Sequence, residues 1–101
     1  MMIYITQLIY LKPGKEAAFE AFESVAIPLI AKYNGRLIQR IRPAASAFID
    51  GEPDRPYEIH LVSFPSEADL EAFGRDPGRA AVLHLKDESV ERIVMIRGDA
   101  I

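Results

Sequence analysis

The chain has 101 residues, half of them apolar and 27% charged, and its twelve Lys and Arg against fifteen Asp and Glu leave a net charge of −3. That length suits one domain over residues 1–101, able to bury roughly 60–70% of its unfolded surface, and leaves no room for two. The slightly acidic balance, with no basic cluster, excludes a nucleic-acid surface, which needs Lys and Arg against phosphates, and the lack of cysteine excludes disulfides, thiolate metal sites and a cysteine nucleophile.

Residues 3–11, rich in Ile, Tyr and Thr, read as a first strand, stopped by Lys12-Pro13-Gly14. This apolar opening has no basic leader or small-residue cleavage site, contains Thr6 and Gln7, and is too short to span a bilayer. The expectation is a soluble, cytoplasmic chain with no membrane partner.

From Lys15 the period changes. Phe19, Phe22, Ala26, Leu29, Ile30 and Tyr33 recur at three and four, with Glu16, Glu20, Glu23 and Lys32 mostly on the other side, which predicts a long amphipathic helix. Asn34-Gly35 closes it as a left-handed cap. Pro28 lies inside it, lacks an N–H and crowds the carbonyl four residues back, so a kink or break is expected near Ala26 and Ile27.

Residues 36–42 (RLIQRIR) read as a second strand, with ASAFID as a continuation beyond Pro43 and DGEPDRP as a turn. PYEIHLVSF, residues 56–64, is the third strand, ended by Pro65. Ser66 with Asp69 three residues on is a capping pattern for a helix over EADLEAF, and Asp76-Pro77 opens another over PGRAAVLHLK. VERIVMIRG, residues 90–98, is the fourth strand. The order is βαββαβ with the second helical segment split in two: an α+β, ferredoxin-like, four-stranded antiparallel sheet with helices on one face.

A sheet with one wet face should alternate apolar with polar. Here Ile3, Ile5, Ile9 and Leu11 share one parity and Tyr4, Leu8 and Tyr10 the other; Ile59 and Leu61 oppose Val62 and Phe64; Val94 and Ile96 oppose Ile93 and Met95. Both faces are greasy, and the helices cover only one. The bare face would exceed the roughly 300–600 Å² of a monomer's largest apolar patch, so a partner is expected on it, most simply a second copy of the chain.

KYNGRLIQRIRPAASAFIDGEPDRPYEIHLVSFPSEADLEAF resembles the dimeric α/β-barrel superfamily, and within it a small bacterial family of unknown function. Members run through a glycine turn, a strand, an acidic-glycine turn, a strand ending in a Phe-Pro-Ser-like corner and a helix. This chain departs from them at Ser63, where an acid is common, and at Phe73, where Trp is common. Antibiotic-biosynthesis monooxygenases and muconolactone isomerases share the superfamily. The resemblance implies two ferredoxin-like subunits packed sheet to sheet, and a pocket that positions a proton-transfer group against a small aromatic or polyketide-like molecule.

His60 is the leading candidate for catalysis, since an imidazole titrates near neutrality. With Ile59 and Leu61 assigned to the helix-covered face, His60 falls on the helix-free one, in the company of Arg40 as an anion anchor and of Tyr4, Thr6 and Tyr10 as ligand-binding lining. The same assignment puts Gln7 under the helices, an uncomfortable place for an amide. Arg42 reads as edge protection, and His84 as a helix-end charge beside Lys86. Neither histidine has metal-ligand spacing around it, so no metal is expected. No P-loop, G-x-G-x-x-G, G-x-S-x-G or H-E-x-x-H pattern occurs, so no cofactor is expected either. The alternative to a cofactor-free enzyme is a non-catalytic small-ligand-binding or stress-associated dimer.

Overall fold

The computed structural model describes residues 2–101. Strand β1 (Ile3–Leu11), helix α1 (Glu16–Lys32), β2 (Arg36–Ile41), β3 (Glu58–Phe64), α2 (Glu67–Gly74), α3 (Pro77–Ala81), α4 (Leu83–Ser89) and β4 (Val90–Gly98) follow in turn. The strands form one antiparallel sheet in the order β2-β3-β1-β4. The fold is α+β and ferredoxin-like, as expected. Its Cα extents are 36 × 36 × 16 Å, and the short axis holds one sheet and one helical layer.

The expected capping residues do what their chemistry allows. Ser66 Oγ accepts the Asp69 N–H at 3.1 Å, and Asp76 Oδ1 accepts the N–H groups of Gly78 and Arg79 at 2.7 and 3.3 Å. Tyr33 and Lys32 donate to the other Asp76 oxygen at 2.5 and 2.9 Å, which ties the end of α1 to the start of α3. Asn34 takes the left-handed conformation at φ 66°. Gly35 is needed for space: a Cβ there would lie 2.6 Å from Phe64 Cε1 and 2.8 Å from Ile30 Cγ2.

Four expectations fail. Helix α1 passes through Pro28 without a break, because the N–H that proline lacks would have served Ser24, and both residues are exposed, so water can take that carbonyl. ASAFID does not extend β2; past Pro43 the chain makes a 3₁₀ turn at Ala45–Ala47, and residues 49–55 are exposed. The segment PGRAAVLHLK is two helices, not one, since β-branched Val82 leaves helical geometry at φ −111°, ψ 6°. His84 therefore lies in the first turn of α4, exposed, and not in a last turn where a positive charge would meet the dipole.

Register decides which side chains share a face. Ile5 pairs with Val62, Gln7 with His60 and Met95, and Ile9 with Glu58 and Ile93; this is the face under the helices. Leu8 pairs with Ile59 and Val94, and Thr6 with Leu61 and Ile96, on the bare face. The β1 assignment holds, with Ile3, Ile5 and Ile9 buried. The β3 assignment is reversed: Glu58, His60, Val62 and Phe64 lie under the helices, and Ile59 and Leu61 do not. Phe64 decides it, packing at 1% exposure with Val62 and Ile30 and against Leu70 and Phe73, so Glu58 and His60 follow by alternation. Among the described residues, no helix is long and apolar enough to cross a membrane.

Candidate functional site

Helix α1 carries an acid inside its apolar stripe. Glu23 stands four residues after Phe19 and three before Ala26, so it faces the sheet with them and is only 7% exposed. Below it, alternation along β3 turns Glu58 and His60 the same way, at 1% and 4% exposure. A register shift between Leu37 and Gln39 in β2 brings Arg40 opposite His60. Four chemically active side chains thus converge from three elements.

Glu58 is the hub. Arg40 Nε donates to its Oε2 at 3.0 Å, Arg42 to its Oε1 at 2.8 Å, and His60 Nε2 lies 2.5 Å from Oε2. Burial pushes the Glu58 carboxyl up, but the two guanidinium groups and His60 outweigh it and hold it below its ordinary value. An ionised carboxylate only accepts, so the His60 nitrogen that faces it, Nε2, carries a proton. Glu20 takes the outer nitrogens of both arginines. Arg40 therefore has its donors turned toward carboxylates, which is poorly suited to anchoring a ligand anion, and Arg42 does more than protect an edge.

Glu23 is treated differently by its surroundings. Among the described residues no donor reaches its carboxylate, and burial, with the nearby negative charges of Glu58 and Glu20, pushes its pKa up to about 7, against a weaker pull from Arg40 and Arg79. Two carboxyls a few ångströms apart, one held charged and one poised near neutrality, form the usual split between an orienting group and a proton-transfer group.

Glu23 and His60 open on a cavity of about 260 Å³ between the sheet and the helices. Its wall is mostly apolar, from Ile5, Ile9, Phe19, Ala26 and Ile93 among others, interrupted by Gln7, Glu23, His60, Arg79, Lys86 and Arg97. Gln7, the amide that looked misplaced in an aliphatic strand, belongs to this wall. Tyr4, Thr6 and Tyr10 do not: they point to the bare face, where Tyr10 is covered by the Arg92 guanidinium, 3.7 Å from its ring centre, itself bound to Asp54. The expected grouping of His60 with Arg40 is met, but on the opposite side of the sheet from those three residues.

Glu23, Glu58 and His60 offer ligand atoms within 4.8 Å of one another. They do not fit a metal ion, because both Glu58 oxygens already accept from arginine, His60 turns its N–H toward Glu58, and two guanidinium charges beside the cluster would oppose a dication. Sequence reading missed Glu23, Arg79 and Lys86. Only Glu23 left a signal, an acid at an apolar-stripe position.

No protein-family model matches the chain, and neither does any curated protein. Solved structures do. A protein of unknown function from Rhodopseudomonas palustris superposes with a TM-score of 0.84 at 17% identity, over 99% of this chain and 82% of that one. A dimeric ferredoxin-like protein of unknown function from Jannaschia sp. gives 0.73 at 16%, over 99% and 100%. A Caulobacter crescentus protein provisionally described as an antibiotic biosynthesis monooxygenase gives 0.73 at 16%, over 99% and 90%. This chain has a ferredoxin-like fold, shared with these structures.

Proposed function

We propose that this single-domain protein is a cytoplasmic homodimer and a cofactor-free enzyme, monooxygenase- or isomerase-like, acting on a small aromatic or polyketide-like molecule held between the sheet and the helices. The observation that carries this is a largely apolar cavity walled by buried, proton-exchanging groups: Glu23 poised near neutrality and His60 oriented by Glu58. At about 260 Å³ it falls just below the roughly 300–1,000 Å³ of drug-sized pockets, which suits a molecule of one or two rings. In this reading His60 Nδ1 or Glu23 takes the substrate proton, Glu58 fixes the imidazole, and Arg40 and Arg42 keep Glu58 charged. The name of the Caulobacter crescentus neighbour favours the same chemistry.

Crystals soaked in a mixture of phenols and aromatic acids are expected to show density beside His60, and His60→Ala to weaken binding of the retained compound at a temperature where circular dichroism shows the variant folded. A cavity that stays empty in every soak, with His60→Ala leaving all affinities unchanged, rules the site out. Compounds that bind and are never turned over would favour the non-catalytic ligand-binding or stress-associated dimer.

The dimer is proposed through the bare sheet face, where Ile41 and Ile96 are 46% and 58% exposed and Val94 is open beside Leu8. Neighbours of this fold are described as dimeric. Burying even about 800 Å² of such surface is worth on the order of 20 kcal/mol before association costs. Leu61→Asp, at the centre of that face, is expected to convert a sedimenting dimer to a monomer at micromolar concentration. A wild-type protein that sediments as a monomer there contradicts the interface.

A further inference from the structure

Of the three Lys and Arg side chains on the cavity wall, Arg97 is bound to Glu67, and Arg79 and Lys86 are left unused by the proton-transfer cluster. Arg79, on α3, lies between two aromatic rings, its guanidinium carbon 5.8 Å from the Phe22 centroid and 5.4 Å from that of Phe73. One of its terminal nitrogens reaches the Gly74 carbonyl at 3.4 Å, and its Nε–H is buried with no acceptor among the described residues. Such an orphan is uncommon, since buried donors nearly always find a partner. Lys86, on α4, lines the same cavity, and no acceptor for its ammonium is found among the described residues. Burial disfavours the charge on both, and the two repel each other.

The compensating charge nearby is inadequate. Glu58 is committed to Arg40, Arg42 and His60. Asp87 and Glu23 bear on Lys86, and Glu23 on Arg79, but Glu23 makes no hydrogen bond to either and is charged only part of the time near pH 7. The remaining wall is hydrocarbon, Gln7 and Arg97, whose guanidinium is held by Glu67. An oxygen acceptor carrying negative charge, placed in the cavity, would supply the partner that the Arg79 Nε–H lacks and offset the Lys86 charge, with the apolar part of the same molecule left to the hydrocarbon wall of Ile5, Ile9 and Phe19.

We propose that the cavity is specific for small aromatic monocarboxylates, with Arg79 and Lys86, apart from the charge-balanced Glu58 hub, as the carboxylate anchor. This rests on the cavity being the ligand site, and it replaces Arg40 as the anion anchor. An arginine pre-set by flanking rings loses little freedom when it engages a carboxylate, and charge-assisted bonds in a dry site are the strong ones.

The test compares 1-naphthoate with its neutral isostere 1-naphthamide by calorimetric titration at pH 7, with NMR shifts of Ala26 and Ile93 reporting occupancy of the cavity. Wild type is expected to bind the acid roughly 10- to 100-fold more tightly than the amide. Arg79→Met should collapse that ratio to within about threefold and leave amide affinity nearly unchanged; Arg79→Lys should restore part of it. Lys86→Met, a milder change at a half-buried position, gives the same reading if the Arg79 variant fails to fold. Equal binding of acid and amide by wild type, or a preference that survives in both methionine variants, overturns the anion anchor and leaves the cavity standing as a ligand site. If neither compound shifts the cavity resonances, the anchor and the cavity reading fall together.

Discussion

Replacing Arg40 and Arg42 together with alanine is expected to destabilise the protein by about 3–5 kcal/mol at pH 7, read from urea denaturation at fixed protomer concentration. The loss originates in Glu58, not in the arginines. Their side chains are 33% and 48% exposed and rehydrate readily, so their own Coulomb contribution is screened. The Glu58 side chain is 1% exposed and keeps only His60 once both guanidinium groups are gone. A buried carboxylate without compensation must either pay its desolvation or take up a proton.

The pH dependence separates this account from a general loss of packing. In wild type the Glu58 pKa is held below its ordinary value of 4.5, so the stabilisation it brings is complete above that value and disappears as pH falls through the depressed one. The gap between wild type and double variant should therefore be widest above pH 4.5 and narrow in stronger acid. Adding Glu58→Gln to the double variant should recover part of the loss, since it removes the unpaired charge. A deficit under about 1 kcal/mol, or one that is independent of pH, would show that the hub is solvated and structurally idle.

What the sequence revealed and what it hid follow from how far each signal travels along the chain. Element order depends on local patterns: the three-four spacing of Phe19, Phe22 and Ala26, the Ser66 and Asp76 caps, the Asn34-Gly35 closure. All act within a few residues, and all appear in the structure. The face of β3 is different. Its two parities are about equally apolar, so the choice is made by Phe64 meeting Ile30 and Phe73 from distant segments, and by a register shift in β2 that no pattern announces. A rule that puts the more aliphatic parity under the helices gave way because Glu58 enters that layer with three partners already arranged around it.

Glu23 shows the same limit in one residue. Its spacing from Phe19 and Ala26 placed it on the apolar stripe, and helical geometry alone required it to face the sheet. An acid there reads as a surface residue until the cavity beneath it is known. Arg79 and Lys86 left no trace at all, because α3 and α4 are short, weakly patterned helices whose inner faces are set by packing against α1.

Glu23→Gln is expected to make the protein more stable than wild type at pH 8, by roughly 2–3 kcal/mol, and to flatten its stability between pH 4.5 and 7. The sign follows from the folded-state pKa of about 7, raised above an ordinary value of 4.5 chiefly by burial. Over that interval the folded protein binds a proton that the unfolded chain has lost, so wild-type stability is full below pH 4.5, declines as pH rises, and levels off past 7. A shift of that size corresponds to about 3 kcal/mol. Glutamine keeps the shape of the protonated acid and cannot ionise, so the two proteins should have nearly equal stability at pH 4 and diverge above it. The same substitution removes a proton acceptor from the cavity, so a gain in stability accompanied by loss of turnover would be the expected trade at a site where a buried acid is kept for its chemistry. Parallel stability profiles from pH 4 to 8 would mean that Glu23 is ionised throughout, compensated by a contact with Arg79 or Lys86 that this geometry lacks, and would remove it from the proton-transfer group.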